Sequence, residues 1–246
     1  MSAPARRRGA LVALAAIAPA FALLVGLGVW QLRRLHWKLG LIAEVAARVH
    51  AAPADLPAPA DWPALKPEAY DYAHVRATGA FDYSHEAKVF RALGSPKGRY
   101  GGPGYLVVTP FALAGGATVL VNRGFVPQGK DARADRAASE IAGATTITGL
   151  MRPPEWRTWF TPADEPAKGL WFTLDPASIA AGLGVARAAP FIVDEDAGQA
   201  PGGLPQGGET VLSFPNNHLS YAFTWFGLAA TLLVVSGLYA WKARPA

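Results

Sequence analysis

Two uncharged apolar runs, one near each end of the chain, constrain this sequence more than any other feature. Residues 11–30 carry no charge and hardly a polar group, and residues 219–241 carry no charge. A bilayer core needs about 20 apolar residues at ~1.5 Å rise each, so each run can span one as a helix. Ala18-Pro19-Ala20 and Ala20-Phe21-Ala22 have the small-residue spacing of a signal-peptide cleavage site. The first run continues to Trp30, too far for a typical signal peptide, and it reads as an uncleaved anchor. The expected organisation is a tail at 1–10, a transmembrane helix at 11–32, a helical stem at 33–50 and a Pro/Ala-rich linker at 51–69. A β-rich domain at 70–217, a second transmembrane helix at 218–241 and a tail at 242–246 complete it.

The formal charge of +5 has a location. Arg6, Arg7, Arg8, Lys242 and Arg244 lie outside the runs and account for all of it, so the segment between the runs is neutral. That balance argues against a nucleic-acid partner and leaves the bilayer as the partner implied by charge and hydropathy. Basic tails favour the cytoplasmic side and place the middle segment outside the membrane, although Arg33, Arg34 and Lys38 just after the first run pull the other way. The chain has no Cys and only two Met, Met1 and Met151, which excludes disulfides, Fe–S clusters, thiolate zinc and a Cu(I) cluster.

Between the runs, short segments bounded by Gly and Pro predict strands at 72–81, 87–93, 104–111, 118–125, 145–152, 170–174, 191–194 and 210–214. Asp175 as N-cap, Pro176 in the first turn and Gly182 or Gly184 at the end predict one helix. Residues 128–143 read as a loop or short exposed helix, and 197–208 as a Gly/Pro-rich loop. The fold class is α+β: two transmembrane helices flanking an antiparallel, barrel-like extracytoplasmic domain.

No nucleophile elbow, H-E-x-x-H pair or phosphate-binding glycine loop is present, so no enzyme is expected. Asp194-Glu195-Asp196 reads as a solvated strand end rather than a Ca²⁺ site, and His50, His74 and His85 read as surface residues. In Asn122-Arg123-Gly124, an arginine after three apolar strand residues faces a buried partner or a site, and Gly124 suits a bulge or a close backbone approach. At the second run, Asn217 can cap a helix on which His218, Tyr221 and Trp225 share one face. A neutral imidazole among aromatic rings is what a haem iron needs; interfacial aromatics beside a hydrated histidine give the same pattern. At the first run, Trp30, Arg33, Arg34 and Trp37 fall at helical spacing, where the arginines could hold haem propionates or lipid phosphates. His36 lies at the same boundary, so a bis-histidine site is conceivable.

Several stretches together resemble the Surfeit locus protein 1 family of cytochrome c oxidase assembly factors. They are Leu27-Gly28-Val29-Trp30-Gln31-Leu32-Arg33-Arg34-Leu35-His36-Trp37-Lys38, then Arg76 with Gly79-Ala80-Phe81, and Gly104-Tyr105 with Val108-Thr109-Pro110. Val119-Leu120-Val121-Asn122-Arg123-Gly124-Phe125-Val126-Pro127, residues 149–153, and Trp171 with Asp175 follow. The last is Pro215-Asn216-Asn217-His218-Leu219-Ser220-Tyr221-Ala222-Phe223-Thr224-Trp225-Phe226. The resemblance implies a bacterial inner-membrane protein with a periplasmic middle domain. It also implies a role in maturing the haem a centre of oxidase subunit I, with His218 the residue most closely linked to haem. On that footing the cofactor is transiently held haem a, with His218 as iron ligand. Tyr221, Trp225 and Trp30 would line the pocket, and Arg33 or Arg34 would meet the propionates. Oxidase subunit I and haem a synthase are the expected protein partners. The rival expectation is a haem-free scaffold that stabilises an assembly intermediate.

Overall fold

The structure is a computed structural model that describes residues 3–212 and 214–242. It divides into two compact units, Met1–Glu44 with Ser213–Ala246, and Val45–Leu212.

The first unit is a helix pair. Helix α1 (Ala3–Val49) runs without interruption through Pro19 and continues five residues into the second unit. Its partner in the first unit is the helix at the chain's other end, His218–Lys242. Among the described residues, this second helix is the one long and apolar enough to cross a membrane. Much of the first apolar run lies where side chains are not described, so residues 3–14 and 16 enter no packing argument. Where side chains are described, the two helices meet through small residues. A Cβ on Gly28 would lie 2.5 Å from the Phe226 ring, and Ala222 and Ala229 are buried on the face of the second helix that carries His218. Small residues at a seam let helix backbones approach closely, as helices in lipid must, because burial from water does not drive them together there.

The second unit is built on eight strands. They are β1 (Ala54–Asp55), β2 (His74–Phe81), β3 (Ala87–Leu93), β4 (Gly102–Leu113), β5 (Thr118–Pro127), β6 (Thr145–Arg152), β7 (Leu170–Trp171) and β8 (Ala188–Glu195). Between them lie α2 (Pro67–Tyr70) and α3 (Pro176–Leu183); the C-terminal helix His218–Lys242 is α4. Pairing runs β2–β6–β8–β5–β4, and β4 returns to β2 at Gly79–Leu113, closing a five-strand barrel. Strand β1 extends the sheet from β2, and β3 and β7 extend it from β4.

Alternation along the strands separates two cores. Val75, Ala77, Phe111, Val119, Val121, Ile147, Met151, Phe191 and Val193 come from all five barrel strands and fill the barrel. Their neighbours Leu106, Val108, Leu120 and Ile192 point outward, where they meet Trp171, Leu174 and Ile179 from β7, α3 and the segment between. Helix α3 begins as expected, with the Asp175 side chain accepting from Ala177 N at 3.0 Å, and ends on Gly184 in the left-handed region.

The structure departs from the sequence reading at several places. The barrel is not wholly antiparallel: β5 and β8 run parallel, a pairing that needs a long crossover, here supplied by β6, β7 and α3. The segment read as an extended linker packs on the barrel. Trp62 is buried edge-on to Phe191 at 5.6 Å, and its indole N–H donates to Pro57 O. Burying such a ring stabilises by roughly 1.5–3 kcal/mol, enough to order a proline-rich stretch. Residues 210–212 and 214 are irregular rather than a strand, and Ser213 lies outside the described residues. Finally, Asp194-Glu195-Asp196 is no solvated strand end, because β8 carries Asp194 and Glu195 into the interior, 7% and 2% exposed.

Candidate functional site

Pro215 keeps the chain out of helix, and α4 starts when Tyr221 N donates to Asn217 O at 3.1 Å. That places His218 in the first turn. On α1, Gly28 and Gln31 lie three residues apart on one face, and both are buried. His218 Nδ1 stands 2.7 Å from Gln31 Oε1. A carboxamide oxygen only accepts, so the proton between them belongs to Nδ1. With Nδ1 engaged in this way, Nε2 is the ring nitrogen left for a further partner.

The other expected site residues distribute unevenly around that pair. Trp225 is half-buried on the His218 face, and its indole nitrogen is buried with no hydrogen-bond partner among the described residues. Tyr221 is 56% exposed and Trp30 55% exposed, so neither is packed into the seam. Arg33 and Arg34 are exposed, and Arg34 stacks on Trp37 with its guanidinium carbon 3.8 Å from the ring centroid. His36 is exposed. Sequence reasoning missed Gln31. Its only signal was a carboxamide inside an otherwise apolar run, one helical turn beyond a glycine.

A second polar centre lies inside the barrel domain. Pairing slips between Val107 and Val108, leaving Arg123 as the extra residue of a bulge. Gly124 has φ +125°, and a Cβ there would strike the backbone of Gln206, so both readings of this glycine hold. Arg123 is fully buried. It donates to Ser139 O at 2.6 Å and lies over the rings of Phe81 and Tyr83, 5.0 and 5.1 Å from their centroids. Glu195 approaches it at 3.8 Å, with neither carboxylate oxygen hydrogen-bonded among the described residues. Burial pushes the Glu195 carboxyl up to about 7 against the pull of the Arg123 guanidinium. The segment Arg133–Ser139 folds over this region, and its Arg136 grips Glu86 with bonds of 3.0 and 2.7 Å.

Beside it, Asp194 accepts from Asn122 Nδ2 at 2.8 Å and Thr210 Oγ1 at 2.7 Å. His74 is not a free surface residue: its ring nitrogens lie 2.8 Å from Ala51 O and 2.8 Å from Asp196 Oδ2. The acid that Arg123 meets is therefore Glu195, with aromatic rings rather than a histidine beside it. Among the described residues, no group of His, Asp and Glu could hold a metal ion.

A barrel inserted in sequence between two paired helices, one of them fit for a bilayer, defines a membrane protein with a compact β domain. The chain belongs to the SURF1 family, whose pattern it matches over residues 18–230. It is 38% identical to Surfeit locus protein 1 of Homo sapiens over 216 residues, covering 83% of this chain and 70% of the human one. The protein of the same name in Rattus norvegicus is 38% identical over 215 residues, covering 83% and 68%. That of Takifugu rubripes is 33% identical over 231 residues, covering 89% and 91%.

Proposed function

We propose that this chain is a non-enzymatic assembly factor for a haem–copper cytochrome c oxidase of the bacterial inner membrane. It holds haem a as cargo at the membrane boundary and hands it to subunit I, with haem a synthase as the donor-side partner. In this reading α1 and α4 both cross the bilayer, the tails are cytoplasmic and the barrel domain is periplasmic. The basic residues Arg6, Arg7, Arg8 and Lys242 support that orientation.

The observation that carries the proposal is the His218–Gln31 hydrogen bond at 2.7 Å. An imidazole whose Nδ1 proton is held by an acceptor offers Nε2 as a base, and haem iron takes such a nitrogen. The residues present fit the cargo. His218 would ligate the iron, and the unpartnered indole N–H of Trp225 would face it. The exposed rings of Trp30 and Tyr221 would close over it, and Arg33 or Arg34 would meet its propionates. The chain has no cysteine, which suits haem rather than copper as the cargo. One axial histidine and open aromatic walls give binding that can be reversed, as delivery requires.

A haem-free scaffold is favoured by one observation: at Gly28 the seam is closed by the Phe226 ring. Optical spectra separate the two readings. The full chain is co-expressed with haem a synthesis, purified in mild detergent and assayed by pyridine haemochrome. Haem a present in the native chain and lost in His218→Ala is the expected result. A folded native chain that carries no haem, from membranes that contain it, overturns the carrier in favour of the scaffold. Haem retained by His218→Ala overturns His218 as ligand.

A further inference from the structure

In the barrel domain the most exposed large apolar side chains lie on one loop. Trp156 is 93% exposed, Trp159 95% and Phe160 69%, all on the segment that follows β6. Exposure of this kind in a floppy loop would mean little, but this loop is braced at both feet. Glu155 N donates to Leu174 O at 3.0 Å, Leu174 N donates to the Glu155 carboxylate at 3.0 Å, and Arg91 binds both Glu155 oxygens at 2.9 Å. At the other foot, the Asp164 carboxylate accepts from Phe172 N at 3.0 Å and Ser178 Oγ at 3.1 Å. Between the feet, Thr161 N donates to Thr158 O, and Thr158 N donates to Thr161 Oγ1, forming a turn. Trp159 and Phe160 meet edge-on at 5.5 Å just inside it. The fold therefore holds three aromatic rings out in water on a rigid mount.

The charges of the loop are consumed within the domain. Arg157 donates to Asp164 at 2.7 Å and to the Pro162 carbonyl, and Glu155 is taken by Arg91. What the tip offers outward is Trp, Thr, Trp, Phe, Thr and Pro, together with Arg157, whose partly exposed guanidinium is already paired to Asp164. Indoles with small hydroxyl residues suit the zone between lipid headgroups and acyl chains, where one side of a ring is apolar and the other wet. A protein interface would instead set its aromatic anchors within a patch that has a polar rim. Here the two tryptophans are 93% and 95% exposed. The occupant must also be at hand, and this same chain carries a helix fit to cross a bilayer.

We propose that the loop 155–164 is a membrane-seating finger, on which Trp156, Trp159 and Phe160 enter the headgroup zone of the bilayer that anchors the chain. The proposal is independent of haem. Because no free charge is offered, seating needs no anionic lipid and does not weaken with salt.

The test exploits the absence of cysteine, which makes any introduced thiol unique. Phe160→Cys in the full chain, reconstituted in phosphatidylcholine vesicles, is spin-labelled and probed with oxygen, which concentrates in lipid, and with a water-soluble nickel chelate. The reference label is Ala134→Cys, an exposed position on the segment Arg133–Ser139. The expected result is oxygen contact exceeding nickel contact at 160 and the reverse at 134. Adding Trp156→Ser and Trp159→Ser to the Phe160→Cys chain should shift position 160 back to nickel contact. A 160 label as open to nickel as the 134 label overturns the proposal and assigns the rings to a protein partner. A lipid-facing 160 label that ignores the loss of both tryptophans overturns it too, because the rings would then not be what seats the loop.

Discussion

The helix seam and the barrel interior each bury polar groups, and they treat them oppositely. At the seam, His218 and Gln31 satisfy each other through one 2.7 Å bond, and one ring nitrogen is left over. In the barrel, Arg123 and Glu195 are both ionisable and 3.8 Å apart, with three of their polar atoms lacking a hydrogen bond among the described residues. A bond to an uncharged carboxamide is inexpensive to bury, and the ring nitrogen left over can serve a ligand. A buried ion pair holds its charges at a desolvation cost that geometry must offset. The seam is arranged to give something away, and the barrel pair is arranged to hold Arg133–Ser139 in place through Ser139 O.

The largest effect expected from breaking this comparison is at Arg123. Arg123→Leu removes the bond to Ser139 O and leaves Glu195 buried alone, and losing one partner of a buried pair costs about 3–5 kcal/mol. The loss should depend on pH. Glu195 titrates at about 7 in the fold against 4.5 as its ordinary value, so its contribution is fully present below 4.5 and is lost as pH rises through 7. Without the guanidinium the folded carboxyl rises further, and the penalty above pH 7 grows. Urea unfolding of the full chain in mild detergent should therefore show Arg123→Leu far weaker above pH 7 than below pH 4.5. A pH-independent loss would mean that the carboxylate is not the partner. Adding Glu195→Gln should flatten the dependence.

A smaller effect, of a different kind, is expected at the seam. Gln31→Leu keeps the bulk and removes the acceptor. Residues that orient a metal-binding histidine typically change affinity about 10–100-fold, or roughly 1.4–2.7 kcal/mol. The variant should unfold in urea as the native chain does, since the barrel is untouched, while haem a retention falls. Nitrogen NMR of the histidines gives a reading that does not need haem: His218 should carry its proton on Nδ1 in the native chain and lose that preference in Gln31→Leu. A native His218 protonated on Nε2 would remove the basis of the seam's half of the comparison.

These two centres were unequally legible in the sequence. The barrel strands announce themselves as short runs bounded by Gly and Pro, and β2 also by its period-two alternation. Asp175 and Gly184 mark α3 because capping chemistry is local. Arg123 could be read as buried from the apolar residues before it. Its partner Glu195 could not, because three consecutive acids look like a solvated strand end until the parallel β5–β8 register brings Asn122 beside Asp194. Trp62 was hidden among prolines for the same reason: its pocket is made by β8, far along the chain. His218 stood out by type and position. Gln31 did not, since a carboxamide matters only through a partner 187 residues away.

The smallest effect is expected at a second histidine. His218 has one acceptor beside it, whereas His74 has two, Ala51 O and Asp196 Oδ2, each at 2.8 Å. Two acceptors need two N–H donors, so the fold favours the imidazolium. Burial opposes that charge, but the bonds to Ala51 and Asp196 outweigh it and hold the pKa above 6.5. The sign follows: the His74 contribution is complete below pH 6.5 and is lost as pH rises through the folded value. A hydrogen bond nets about 1 kcal/mol, so His74→Ala should cost about 1–2 kcal/mol below pH 6.5 and progressively less above it. In the Glu195→Gln background, which removes the Glu195 titration near pH 7, urea unfolding on the two sides of the His74 transition isolates the effect. A cost that stays constant across it would show that His74 is held as a neutral ring and that two acceptors do not force a second proton.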